Sequence, residues 1–359
     1  MSLDKNNKQR DTNIDIMKAL GIILVILGHI YHHSNFIYLF HMPLFFILSG
    51  ATLIYSKNIY NIKKRFHSLL IPYFIFSFLS FLYWFLIESK FRPIHNDSLF
   101  LGKLGNLPIN VQQFINIFIA ENATNSFAYN VVLWFLPCLF VTDFIYSKIK
   151  NKNIEWALDI ILIILYYSWI KDLPCLPWCL NLAIATIPFF SIGYHLYKPV
   201  ESYLSQDRRI KKSVIILFIT MFSIGAIIHF LDPQVDIKNN RIPIIFYVTA
   251  CIGSLMIFCC SQIIIRLIHN KTYICNQFLY IGQNSLIIMC IHEPLKRIIL
   301  AIASKLCNIP IDILRENLIY SIGITLIVLI ACIPFIYLIQ NFFPWILGKE
   351  PSINKRNSK

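Results

Sequence analysis

The sequence predicts an all-α, polytopic transmembrane helix bundle of about ten spans with both termini in the cytoplasm. Three observations carry this expectation. The 359 residues are 57% hydrophobic and only 14% charged, whereas a soluble domain is about 45–50% apolar and about 25% charged. The apolar residues fall into ten runs near the length that crosses a bilayer. Lys and Arg then alternate between successive connecting segments, as the positive-inside rule requires.

The first span is read from about residue 14 to 33 and the second from 37 to 55. The third covers 69–87, the fourth 131–146, and the fifth, a short one, 156–170. The sixth to eighth follow at 180–197, 213–230 and 242–267. The ninth, 276–292, is interrupted by Gln283 and Asn284, and the tenth runs from 318 to 341. With the N-terminus inside, the cytoplasmic segments gather about twice as many of the 32 basic residues as the opposite ones. The chain therefore reads as a cytoplasmic tail (1–13), one membrane domain (14–342) and a second cytoplasmic tail (343–359). The first apolar run lacks a small-residue cleavage site and carries Lys18, so it is expected to be retained as a span.

Two outer segments are long enough to matter. Residues 88–130 contain an apolar patch, VQQFINIFIA, that suits an interfacial or re-entrant helix, and 293–317 contain the amphipathic LKRIILAIASKL. Both are expected to roof the outer side. The net charge of +14 follows from loop topology and does not need a nucleic-acid partner. Most of the ten cysteines lie in apolar runs, where they act as small hydrophobes. Cys175 and Cys179 stand in an outer segment, where a disulfide is one option. No Cys/His set has metal-ligand spacing, so no metal is expected.

The chemistry concentrates in the first span. Lys18 and His29 are separated by eleven residues, roughly three helical turns, which places both on one face about 16 Å apart along the axis. Asp15 stands one turn before Lys18 on the same side. Ionisable groups inside a span are expensive and mark functional sites. The bland alternatives are a helix-end histidine for His29, a snorkelling lysine for Lys18 and an N-terminal helix charge for Asp15.

Several ordered blocks carry a resemblance. Lys18-x10-His29 resembles the first-span signature of the acyltransferase-3 family of integral-membrane acyltransferases. The segment FHMPLFFILSG (40–50) looks like that family's second-span motif, and KKRFHSLLIPYFIF (63–76) resembles its basic loop and following helix. LWFLPCLF (133–140) and IGQNSLIIMCIHEPL (281–295) resemble its later blocks, in the family's order. Two positions depart from the pattern: Lys18 stands where Arg is frequent, and His67 and Ser68 stand where a second loop Arg is frequent.

The resemblance implies transfer of an acyl group, usually acetyl from acetyl-CoA, to a hydroxyl of an envelope glycan or lipid-linked sugar. The expected location is the inner (plasma) membrane. His29 is then the expected general base, with Lys18 attracting CoA phosphates or polarising its arm and Asp15 orienting Lys18. His41, His292, Glu293 and Trp134 are expected near the acceptor, although Trp134 reads first as an interfacial aromatic. Arg65, Ser49, Asn284 and Ser285 are expected along the CoA path, Ser49-Gly50 being also a close-packing pair. A proton-coupled transporter or an export partner without acyl chemistry remains the competing class.

Overall fold

A computed structural model of the chain describes residues 11–55, 61–91, 107–121, 127, 129–149, 154–173, 176–205, 211–231, 243–268 and 272–348. The expected tail residues 1–10 and 349–359, the RPIHNDS turn (92–98) and Cys175 lie outside the described residues. The helices are α1 (Thr12–Ile30), α2 (Asn35–Tyr38), α3 (His41–Ile54), α4 (Ile62–Arg65), α5 (Ile71–Leu86), α6 (Ile109–Ile119), α7 (Phe135–Ile149), α8 (Glu155–Ser168), α9 (Leu180–Ser205), α10 (Lys211–Leu231), α11 (Pro243–Ile268), α12 (Thr272–Gln283), α13 (Ser285–Cys307), α14 (Ile311–Glu316) and α15 (Leu318–Phe342). No strand is present among the described residues.

Each of the ten expected spans coincides with a helix or a pair of helices. Among the described residues, seven helical segments are long and apolar enough to cross a bilayer: Thr12–Ile30, Asn35–Ile54, Ile62–Lys90, Val131–Ile149, Pro177–Leu204, Ile244–Leu267 and Leu318–Phe342. Of the remaining three expected spans, α8 has only 14 residues. The apolar part of α10, Lys212–Ile227, is also shorter than a span, and the ninth expected span is divided between α12 and α13.

Lipid as solvent shapes the outside of the bundle. Helix α15 turns Ser321, Ile324, Thr325, Val328, Cys332, Ile336 and Ile339 inward, a stripe at helical spacing. Its opposite side exposes Ile319, Leu326, Ile330 and Tyr337. Such an apolar surface suits hydrocarbon, where only a structure with internally satisfied backbone groups survives. Inside, α1 is the central helix, packed against α3, α11, α12, α13 and α15.

Glycine sets the tightest crossing. A Cβ at Gly50 on α3 would stand 2.0 Å from the Phe190 carbonyl oxygen, and one at Gly193 on α9 would stand 1.9 Å from the Ile47 oxygen. The two backbones are therefore in reciprocal contact, the small-residue packing that membrane helices use where no hydrophobic effect drives them together. The Ser49-Gly50 pair thus contributes its glycine to packing.

Two differences from expectation have physical reasons. LKRIILAIASKL was expected in an outer loop, but it continues α13 without a break to Cys307. Falling hydropathy marks exit from hydrocarbon, not the end of a helix, because intrahelical hydrogen bonds are satisfied on either side of the interface. The third span was expected from residue 69, but its helix begins at Ile62 and passes through a π-helical turn, Phe66–Leu70, before α5. VQQFINIFIA does form a separate short helix, α6.

The α3–α9 crossing yields a prediction. Gly193→Ala should lower the thermal unfolding temperature in detergent, corresponding to about 1–3 kcal/mol of overpacking. Gly225→Ala on α10, where nothing lies within 4 Å of the new Cβ, should leave it unchanged or raise it by the helix propensity gained. Equal effects from both substitutions would contradict the crossing.

Candidate active site

The last carbonyls of a helix have no partner within it, and α1 ends beside His29. Each of its final four carbonyls is satisfied. The Tyr31 N–H donates to Leu27 O at 2.8 Å. Ser34 Oγ and Tyr38 OH both donate to Gly28 O, at 2.9 and 3.2 Å. Lys296 Nζ from α13 donates to His29 O at 3.3 Å. Arg315 Nε from α14 donates to Ile30 O at 3.0 Å. Two of these donors carry positive charge, which suits the negative end of the helix dipole.

The opposite end of α1 is held as firmly. Asp11 caps it by accepting from the Asn13 and Ile14 N–H groups at 2.9 and 3.3 Å. The same carboxylate accepts from Tyr55 OH beyond α3 at 2.5 Å and from Tyr197 OH of α9 at 2.8 Å. Asn13 accepts from Ser261 Oγ of α11 and donates to Tyr197 OH.

Between these ends lies a cavity of about 250 Å³. Its wall on α1 consists of Ile22, Val25 and His29, and other lining comes from Tyr38, His41, Met42, Phe45, Trp134, Phe135 and Met289. The spacing 22, 25, 29 continues downward to 18, so half-buried Lys18 occupies the same helical stripe below the cavity.

The expected residues divide into groups. His29, His41 and Trp134 line the cavity, and Trp134, 8% exposed, forms part of a buried wall. His41 Nδ1 lies 2.9 Å from the Ile37 carbonyl oxygen, and its ring meets Tyr38 edge-on at 5.0 Å between centroids. Tyr38 in turn meets His29 at 6.2 Å. His292 lies behind the wall, its ring centroid 5.8 Å from that of His29.

Glu293 is buried among cations. Lys296 Nζ donates to both of its oxygens at 2.8 Å and Arg297 Nε to one at 3.2 Å. Arg297 also pairs with Glu88 at 2.9 Å, so the cluster joins α13 to the end of α5. These partners give Glu293 a role in holding Lys296 beneath the end of α1, rather than lining the cavity.

The remaining expected residues lie apart from the cavity lining. Arg65 Nε pairs with buried Asp143 of α7 at 2.6 Å. Asp15 is buried and accepts from Gln283 Nε2 at 3.2 Å. Here α12 crosses α1 so closely that a Cβ at Gly282 would stand 1.8 Å from Asp15 O. Asn284 occupies the α12–α13 break, donating to Tyr280 O at 2.8 Å and accepting from Gln340 Nε2 at 2.5 Å. Ser285 and Ser49 are half-buried.

Five residues of the site were not anticipated from sequence: Tyr38, Asn130, Lys296, Arg297 and Arg315. Asn130 Nδ2 ties the turn before α7 to Cys290 O at 2.8 Å and to Ser80 Oγ at 3.1 Å. The i, i+3 and i, i+4 spacing of Glu293 with Lys296 and Arg297 is a legible ion-pair signal. The other three act on distant main chain and leave no local pattern.

The fold and site define an all-helical membrane protein in which a pinned helix presents a histidine to a buried, aromatic-walled cavity. A family model described as an acyltransferase domain matches residues 11–344, and the chain belongs to the acyltransferase-3 family. Its match begins at the Asp11 cap and ends beyond α15. Neither a comparison with curated proteins nor one with solved structures finds a match.

The buried ion pair can be tested by charge balance. Lys296→Met should destabilise the protein by about 3–5 kcal/mol, because Glu293 keeps its charge with one fewer partner. Adding Glu293→Gln should recover a substantial part of the loss in thermal unfolding. Additive losses in the double variant would show that the pair does not couple.

Proposed function

We propose that the chain transfers an acetyl group from acetyl-CoA to a hydroxyl of an envelope polysaccharide or lipid-linked sugar, with His29 as general base. The observation that carries this reading is the cavity on the Lys18–Ile22–Val25–His29 stripe. Two histidines and a tryptophan line it, and Lys18 stands about one helical turn before Ile22 on the same face of α1. The family assignment supplies acyl transfer as the reaction class.

The proposed topology places the α1 N-terminus and Lys18 toward the cytoplasm of the inner (plasma) membrane, the side from which acetyl-CoA enters. Lys18 then attracts the CoA phosphates as a point charge, and the basic α4 segment, Lys63, Lys64 and Arg65, adds to the same positive field although Arg65 also pairs with Asp143. The pantetheine arm follows the stripe, and its thioester reaches the cavity near His29. Trp134 and Tyr38 supply faces on which a sugar ring packs, while His41 offers a polar contact to its hydroxyls.

The reaction then balances in one displacement. The acceptor hydroxyl oxygen attacks the thioester carbonyl carbon as His29 takes its proton. The new C–O bond forms, the C–S bond breaks, and the imidazolium returns the proton to the departing sulfur. The products are an acetyl ester and CoA thiol, and His29 is again neutral. General base catalysis of this kind contributes about 10²–10⁴-fold.

Membranes supplied with radiolabelled acetyl-CoA and a panel of glycans provide the test. His29→Ala should reduce label transfer by about 10²-fold or more at equal protein level. Lys18→Ala should raise KM for acetyl-CoA about tenfold, a change of about 1.4 kcal/mol, while Lys18→Arg retains most of the affinity. Undiminished transfer in His29→Ala would overturn the base assignment. Transport of a glycan with no acetyl mass added would favour a carrier without acyl chemistry.

A further inference from the structure

His292 stands out among the buried polar groups. Its side chain is wholly buried. Its Nδ1 lies 3.0 Å from the Ile288 carbonyl oxygen, one turn back on α13. A carbonyl oxygen only accepts, so Nδ1 carries the proton and Nε2 of the neutral ring carries a lone pair. That Nε2 is buried and has no hydrogen-bond partner among the described residues. An unsatisfied buried acceptor is costly, and the ring nearest to it is His29, at 5.8 Å between centroids with planes tilted by 37°. An imidazole nitrogen sits about 1 Å from its ring centre, so nitrogens turned toward each other across this gap would stand on the order of 3.5 Å apart, a spacing that a hydrogen bond formed on substrate binding can close.

The two histidines differ in access. His29 lines the cavity and His292 does not. His292 therefore acts on the reaction through His29. Their main chains are also tied together. Lys296, four residues after His292, donates to the His29 carbonyl and is held there by Glu293. Asn130 fixes the α13 backbone at Cys290. The acceptor is thus presented to His29 by a braced helix, which is what a group that orients a base requires.

We propose that His292 is a positioning residue for His29: its Nε2 lone pair accepts one ring N–H of His29 and holds that ring in the tautomer whose other nitrogen faces the cavity as base. A neutral base needs its proton on the nitrogen away from the substrate, and loss of the group that fixes the tautomer is expensive in a related catalytic arrangement. This inference rests on the reading of His29 as general base.

Two substitutions separate the two ends of the His292 ring. Asn places its amide near the Nδ1 position and has nothing at Nε2, whereas Gln reaches the Nε2 position with an acceptor oxygen. Purified full-length protein in lipid nanodiscs is assayed with acetyl-CoA and an acceptor glycan accepted by the wild type. His292→Asn should lower kcat by about 10²-fold while KM for acetyl-CoA stays within about twofold. His292→Gln should restore about tenfold of that loss. Wild-type kcat in His292→Asn, a loss carried by KM, or a Gln variant no better than Asn would each overturn the proposal. His29→Ala is run in parallel. Full activity there removes the base reading itself, whereas an inactive His29→Ala beside a fully active His292→Asn removes only the positioning role.

Discussion

Hydrocarbon supplies no hydrogen bonds, so a helix that ends within or beside it must find partners for its last carbonyls in the protein. The site depends on how α1 meets that demand. Its end recruits Ser34, Tyr38, Lys296 and Arg315, and these residues come from the following turn and from α2, α13 and α14. Satisfying three backbone oxygens thereby draws three other elements around His29. Lys296 brings a charge that must itself be balanced, hence Glu293, and Arg297 extends the network to Glu88 at the end of α5. The polar surroundings of the cavity are thus a consequence of terminating one helix in a poor solvent.

The same logic operates at the start of α1. Asp11 caps the helix and accepts from two tyrosines on other elements, while Asn13 bonds to α9 and α11. A helix anchored at both ends is a fixed spacer. The axial distance between Lys18 and His29 is therefore set by helix geometry, and the relation of both to neighbouring helices is set by the anchors. Gly282 and the Gly50–Gly193 crossing add main-chain contact along the shaft. Binding energy at one end of such a spacer can align a group at the other, because little is lost to movement between them.

The helices and the stripe were legible in sequence because lipid imposes a plain code. Apolar runs of the right length mark spans, and a charge or histidine inside one is conspicuous against that background. Lys18, His29 and the 283–284 break were found this way. The partners that complete the site were not, since a lysine or arginine in an outer segment looks like many others until a distant carbonyl is placed beside it. Arg315 belongs to this class, and so does the bond from Lys296 to the His29 carbonyl, although the pairing of Lys296 with Glu293 was legible. Asn284 shows the same limit from the other side, since its polarity alone suggested a place on the CoA path. In the structure its amide bridges Tyr280 and Gln340 at a helix break. A polar residue in a span has a partner, and sequence alone does not say whether that partner is substrate or protein.

Trp134 shows how burial settles such an ambiguity. Aromatic residues near span ends are usually interfacial, and nothing in LWFLPCLF argues otherwise. The 3-10 turn Val131–Trp134 that starts the segment is anchored by Asn130 to α13 and α5. The indole that follows this anchored turn is buried and lines the cavity with His29 and His41. Asn130 therefore acts on the cavity from two directions: it sets Trp134 on one side and fixes the α13 backbone at Cys290, two residues before His292, on the other. The aromatic wall and the histidine pair are consequently braced by a single buried amide, so the spacing across the cavity and the spacing behind it are not independent.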